Sequence, residues 1–314
     1  MVAMNEPSAL TDGFLRLIEQ AQSLEPVPTA VVHPVDDLSL GGALAAAGES
    51  LILPILVGPR ARIETAAAEI EADISAFEIV ETPHSHAAAE RAVQLVREGR
   101  AAAIMKGALH TDEVMEALID PDTGLRTERR MSHVFVMDVP SYPKMLLISD
   151  AAINVFPTLA DKADIVQNAI DLARALGVVL PKVAILSAVE TVTPKIPSTV
   201  DAAALCKMAD RRQITGGVLD GPLAFDNAIS KAAAKAKGIV SEVAGEADIL
   251  IVPDLEAGNM LAKQLDYLAG AKAAGIVLGA RVPVMLTSRA EDALNRLASA
   301  AIAQIFAHWR PEKP

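Results

Sequence analysis

The densest set of reactive side chains lies near the carboxyl end of the 314-residue chain, at Ser288-Arg289-Ala290-Glu291-Asp292. Ser288-x-x-Glu291 has the pattern of a capping box at the mouth of a helix, which gives the serine and the glutamate a structural role. A helix start also leaves backbone N–H groups unpaired beside the Arg289 guanidinium, a setting suited to phosphate or a developing oxyanion. Asp292, four residues after Ser288, falls on the same side of the expected helix. A hydroxyl, a guanidinium and a carboxylate thus converge. Capping explains Glu291 well and Arg289 poorly.

Further polar side chains close short apolar runs that read as strands, and ligands of open parallel sheets bind beyond the carboxyl ends of strands. Asp150 ends one run, with Asn154 four residues later, and Asp220, Asp254 and Lys106 end others. Asp254 serves equally well as the N-cap of a helix beginning near Glu256. Asp220-Gly221-Pro222 has the composition of a turn, which is the heavier reading there. Lys106 solvates a strand end on the plain reading, although Gly107 after it lets a ligand approach the backbone. A basic run, Arg126, Arg129 and Arg130, precedes Ser132 and His133. Such a run is more often a solvated face, and Arg126 is its best candidate for a second anion contact.

The elements that must hold these groups alternate. Apolar runs at 29–33, 51–57, 77–80, 102–105, 134–139, 145–148, 182–186, 216–219, 249–252, 275–277 and 282–286 predict strands. Ala-rich segments at 59–71, 86–98, 111–119, 159–176, 198–209, 256–268 and 290–308 predict helices. Alternation of this kind predicts mostly parallel sheets covered on both faces. Eleven strands are many for one sheet, so the expectation is two doubly wound α/β domains with a cleft between them, 1–138 plus 290–314 and 139–289. The crossing point falls at 131–144, where Pro140, Tyr142 and Pro143 separate two strands with no helix between.

Composition removes several classes. Hydrophobic residues make up 52% and aromatics 3%, which excludes disorder and asks for a core of Ala, Val, Ile and Leu. Mean hydropathy is +0.33, yet the longest uncharged run, 297–309, is too short to span a bilayer. No secretory stretch opens the chain, and the single Cys206 excludes a disulfide framework, so a cytoplasmic protein without membrane contact is expected. Against 28 basic residues stand 40 acidic ones, a net charge of −12, which argues against nucleic acid. The chain lacks the glycine-rich dinucleotide and P-loop patterns, the G-x-S-x-G elbow and the H-E-x-x-H zinc pattern. His84 and His86 read as a solvated loop or helix cap rather than metal ligands, and Cys206 as a small buried hydrophobe.

Several longer segments carry a resemblance. Asp220-Gly-Pro-Leu-Ala-Phe-Asp226-Asn-Ala-Ile229, Ser241-Glu-Val-Ala-Gly-Glu-Ala-Asp248 and Pro253-Asp-Leu-Glu-Ala-Gly-Asn259 resemble the phosphate acetyltransferase and phosphate butyryltransferase family. So do Met105-Lys-Gly107, Gly124-Leu-Arg-Thr127, Met131-Ser-His-Val134, Ile148-Ser-Asp-Ala-Ala-Ile-Asn154 and Leu286-Thr-Ser-Arg289. The resemblance implies a two-domain fold like the isocitrate and isopropylmalate dehydrogenases, with the active site in the cleft and a homodimer at least. It implies the reaction acyl-CoA + phosphate = acyl phosphate + CoA, with no permanently bound cofactor, no metal and no covalent intermediate. Ser288 would then serve the oxyanion, Arg289 and Arg126 the phosphate, and Asp292 or Glu291 the proton, with Asp292 preferred. Lys106, Ser132, Asn154, Asp220, Asp254 and Asn259 would bind phosphate or substrate, with Lys106, Asn154 and Asn259 open between touching ligand and only shaping the cleft. In the acetyl branch a Gly follows the Ser-Arg pair and the acidic residue comes later, whereas here Ala290, Glu291 and Asp292 follow at once, and acyl length stays open. Two alternatives remain at this stage. One is a metal-dependent 2-hydroxy-acid dehydrogenase of the same fold with Asp150, Asp220 and Asp254 as ligands. The other is a non-catalytic sensor of CoA or acyl phosphate.

Overall fold

A computed structural model of the chain describes residues 13–286 and 292–309. The order is α1 (Gly13–Gln22), β1 (Val27–Val32), α2 (Asp37–Gly48), β2 (Ile52–Gly58), α3 (Arg60–Glu69), β3 (Glu78–Glu81), α4 (Ser85–Arg97), β4 (Ala103–Lys106) and α5 (Thr111–Ile119). Then come β5 (Ser132–Asp138), β6 (Leu146–Ser149), α6 (Leu159–Ala175), β7 (Lys182–Leu186), α7 (Pro197–Asp210), β8 (Val218–Leu223), α8 (Phe225–Ile229) and α9 (Lys231–Ala236). The chain closes with β9 (Ile249–Ile251), α10 (Leu255–Ala269), β10 (Lys272–Leu278), β11 (Val284–Met285) and α11 (Ala293–His308).

Every apolar run named above forms a strand, and every Ala-rich segment a helix. Four helices, α1, α2, α8 and α9, were not expected. In α2 the Gly41-Gly42 pair and small apolar residues on all sides blur any stripe, although Leu40, Ala43 and Ala46 are buried. In α1, Phe14, Leu17, Ile18 and Ala21 form a buried stripe at helical spacing. At 5 and 6 residues, α8 and α9 are too short to show a period.

All eleven strands join one sheet, ordered β3-β2-β1-β4-β11-β10-β5-β6-β9-β7-β8. Its flanks are parallel as expected, but three neighbouring pairs at the centre, β11–β10, β10–β5 and β5–β6, are antiparallel. Short links explain two of the three reversals. Residues 139–145 between β5 and β6, and 279–283 between β10 and β11, are too short for a crossover helix, so each link can only turn the chain back. An odd number of reversals makes β1–β4 and β11 run opposite to β6, β9, β7 and β8. The carboxyl ends beyond which ligands of parallel sheets bind therefore leave the two flanks in opposite directions.

Helices cover both faces. α1, α2, α3, α6, α7 and α11 pack on one, while α4 and α5, and separately α8 and α10, pack on the other. In α11 the run Ala298-Ser-Ala-Ala-Ile-Ala303 is wholly buried, as a helix apolar all round must be. Gln304 ties it to the first half of the chain by donating to the carbonyls of Leu24, Glu25 and Ser50.

Two expectations follow from packing. A Cβ at Gly107 would stand 2.3 Å from the Val32 carbonyl oxygen, a backbone atom that cannot yield. Gly107→Ala is expected to cost about 2 kcal/mol or more in denaturant unfolding. His133 on β5 is buried against Phe135, ring centroids 4.4 Å apart, and burial outweighs the opposing Asp150 charge to bring its pKa down to about 4. The folded ring stays neutral while the unfolded chain protonates near 6.5. Its contribution is thus complete above that pH and falls away between 6.5 and about 4, by about 3 kcal/mol at most. Urea midpoints between pH 7.5 and 4.5 should drop less steeply in His133→Gln than in the wild type. Equal slopes would remove His133 as the cause.

Candidate active site

Between α5, the segment 126–131 and the start of α6 lies a cleft of about 600 Å³. Thr111, Asp112, Met115 and Ile119 form one wall, and Arg126 to Met131 with Ala152, Ile153, Asp161 and Asp164 form the other. The basic segment is fastened along its length. Arg126 bridges to Ala280 through the backbone, Thr127 Oγ1 donates to the Gly279 carbonyl at 2.6 Å, and the Arg130 N–H donates to Asp164 at 2.9 Å. Asn168 Nδ2 donates both to the Arg130 carbonyl and to Ser132 Oγ, each at 2.9 Å.

The three arginines are held differently. Arg129 forms an ion pair with Asp171. Arg126 is exposed, and among the described residues its side chain has no hydrogen bond or ion pair. Arg130 Nε donates to Asn154 Oδ1 at 2.7 Å. Behind it, Asn154 Nδ2 donates to Asp150 Oδ2 at 2.6 Å and to the Met131 carbonyl at 2.9 Å. Asp150 in turn accepts the backbone N–H groups of Ala152, Ile153 and Asn154. Its carboxylate thus shapes the loop that follows β6.

The other expected site residues separate on inspection. Asn154, Asp254 and Asn259 gather around that loop. Asn259 Nδ2 donates to the Ala151 carbonyl at 3.2 Å, and Asp254 caps α10 by accepting the Ala257 N–H at 2.9 Å. Ser132 is fully buried against Asn168, so it supports the cleft wall and has no surface for a ligand, contrary to expectation. Asp220 lies within β8, not in a turn, because that strand continues to Leu223. It accepts the Gly221 N–H. Lys106 ends β4, on the flank whose carboxyl ends point away from those of β6 and β9. Asp150, Asp220 and Asp254 do not assemble into one ligand set. Among the described residues, no three His, Cys, Asp or Glu side chains are placed to share a metal ion.

Ser288, Arg289 and Glu291 lie outside the described residues. Asp292 is exposed and is itself the N-cap of α11, accepting the Asn295 N–H at 2.8 Å. This corrects the expected division in which Glu291 caps the helix. It also corrects the argument from a shared helix face, since α11 starts only at Ala293. His84 is the N-cap of α4, as the plain reading had it, and His86 pairs with Glu113 at 3.0 Å. A larger groove of about 800 Å³ runs between α4 and α5, beside this pair, and contains none of the expected site residues. Cys206 is half-buried, and burial pushes its thiol up to about 12. Within the basic run the sequence favours Arg126 over Arg130. The one local signal for Arg130 is its place directly before the buried run that begins at Met131.

Comparison with known proteins identifies relatives of the whole chain. Residues 83–304 match the family described as phosphate acetyl/butaryl transferase. A phosphate acetyltransferase of Rhizobium meliloti is 63% identical over 94% of this chain and 93% of its own length. A phosphate butyryltransferase of Clostridium acetobutylicum is 42% identical over 94% and 98%. Among solved structures, a branched-chain phosphotransacylase from Enterococcus faecalis superposes with a TM-score of 0.78 at 30% identity, covering 90% of this chain and all of that one. A model spanning most of the chain and relatives matched over nearly their whole length leave one conclusion: the chain belongs to the phosphate acetyl/butyryl transferase family.

Proposed function

We propose that the protein moves a short acyl group, acetyl first, between coenzyme A and inorganic phosphate, with the arginine-lined cleft beside α5 as an anion-binding part of its site. The observation that carries this reading is the three-arginine wall of the cleft in a chain of net charge −12. Both substrates are anions, and an acidic protein must attract them with placed guanidinium groups rather than with its overall field. The volume is within the range of about 300–1,000 Å³ that small-molecule sites occupy. Acetyl ranks first because the 63% identical relative bears that name.

In the forward direction a phosphate oxygen attacks the thioester carbonyl, a tetrahedral oxyanion forms, and its collapse breaks the C–S bond to release CoA and acyl phosphate. Arg126 and Arg289 hold the phosphate through paired N–H donors, a geometry that lysine cannot reproduce. Ser288 and the N–H groups at the start of α11 meet the oxyanion. In reverse, the CoA thiol, with an ordinary pKa of about 8.5, gives its proton to Asp292 as its sulfur attacks the acyl phosphate. Holding both substrates side by side supplies much of the remaining rate. No step requires a resident cofactor.

The division into 1–138 plus 290–314 and 139–289, with a cleft like that of isocitrate and isopropylmalate dehydrogenases, is part of the same reading. It is supported by the packing of α11 back onto α1 and α2. A homodimer is supported by the exposed Met260, Tyr267 and Leu268 on α10. A cytoplasmic setting suits the CoA chemistry.

Phosphate-dependent thiol release from acetyl-CoA and butyryl-CoA is expected to survive a metal chelator, with the higher kcat/KM for acetyl. Release abolished by chelation, together with nicotinamide binding, would replace this reading with the dehydrogenase one. Binding of CoA without release from any short thioester would leave a sensor. Asp292→Asn preserves a good N-cap while removing the base, so thermal stability should hold while kcat falls by about 10²-fold or more. Arg289→Ala should lose most of kcat/KM with the fold intact. Near-wild-type turnover in both variants would move the chemistry elsewhere.

A further inference from the structure

We propose that Arg130, positioned by Asn154 and Asp150, is a further residue of this cleft, beside Arg126, that grips a phosphoryl group of the substrate. The proposal rests on the acyl-transfer reading only for the identity of that substrate.

The argument is one of preorganisation. Arg129 has its charge offset by Asp171, and Arg126 would have to be immobilised when a ligand arrives. Arg130 alone is joined to the core by an unbroken series of hydrogen bonds. Its Nε donates to Asn154, which is 3% exposed, and Asn154 donates to Asp150, also 3% exposed and saturated by the N–H groups of its own loop. Asn168 holds the Arg130 carbonyl from the other side. The hydrogen-bond acceptor at Nε is a neutral amide, and the carboxylate that pairs with Nε, Asp161, is at 3.8 Å rather than in direct contact as Asp171 is with Arg129.

Asp161 stands 3.8 Å from Nε, too far for a hydrogen bond, and its Oδ2 accepts from the Thr158 N–H and hydroxyl. Both Nη groups are without a hydrogen bond among the described residues, on a side chain 57% exposed at the cleft. A fork anchored at Nε and open at Nη matches two oxygens of a phosphoryl group. Asp112, Glu128, Asp161 and Asp164 share the cleft wall, so recognition here comes from the direct bonds of the fork and not from a diffuse positive field.

Two sources supply that chemistry, inorganic phosphate and the phosphates of coenzyme A. The test measures KM for phosphate, CoA and dephospho-CoA, with calorimetric Kd values for the same three, in wild type, Arg130→Ala, Arg130→Lys and Arg126→Ala. Loss of charged hydrogen bonds predicts that Arg130→Ala raises one KM about tenfold or more, with kcat nearly unchanged and the melting temperature preserved. Arg130→Lys should recover little. If the phosphoryl group is the 3′-phosphate of CoA, the preference for CoA over dephospho-CoA disappears in Arg130→Ala. If it is inorganic phosphate, that preference stays and the phosphate KM rises.

Asn154→Ala should give part of the same KM rise and add nothing in the Arg130→Ala background. A structural role alone would instead add to it. Unchanged KM values in Arg130→Ala, whatever Arg126→Ala does, would overturn the proposal. A wild type that turns over no acyl-CoA would sink the acyl-transfer reading separately, and the Kd values would then decide. Tenfold weaker binding of CoA or phosphate in Arg130→Ala keeps the proposal, while unchanged binding, or none in the wild type, ends it.

Discussion

The seven residues 139–145 that join β5 to β6 are too few to carry a helix across the sheet, and the rest of the architecture follows from that shortage. The chain has to turn back, and with β10 folding against β5 it places an antiparallel seam between two parallel flanks. Each flank can then be doubly wound, with helices on both faces, without the whole sheet running one way. The same seam carries the cleft. Segment 126–131 enters β5 at its amino end, the loop 150–154 leaves β6 at its carboxyl end, and antiparallel pairing puts these two ends side by side.

That juxtaposition lets an acidic protein handle anions. A chain of net charge −12 repels phosphate at long range, so binding depends on donors aimed in advance. Orienting a guanidinium through a carboxylate would offset its charge, as Asp171 does for Arg129. Through the Asn154 amide, Arg130 is oriented by a neutral group, Asp161 pairs with it only at 3.8 Å, and the carboxylate that fixes the amide, Asp150, lies one hydrogen bond further back. Small side chains make the close packing possible. With aromatics at 3%, the core is filled by alanine and branched aliphatics, and Gly258 lies so near the loop that a Cβ there would meet the Asp150 carbonyl at 3.0 Å.

Much was legible in the amino-acid order alone. Burial on both faces writes a strand as a continuous apolar run, and all eleven such runs are strands. Seven of the helices announced themselves by period, and Asp254 by its capping position. Motifs from Met105 to Arg289 pointed to the family that the comparisons establish. These signals are local. A strand run, a cap or a motif is complete within a few residues, and nothing distant is needed to read it.

Tertiary structure decided what depends on partners far apart in the chain. Strand direction at the seam, the burial of Ser132, the place of Asp220 inside β8 and the capping of α11 by Asp292 all depend on which segments meet in space. The choice among the arginines shows it most clearly. Arg126, Arg129 and Arg130 are equivalent as letters, and only Asp171, 42 residues from Arg129, and Asn154, 24 residues from Arg130, make them different. Charge, burial and period belong to the residue and its neighbours. Orientation belongs to the contact, and the contact exists only in the folded chain.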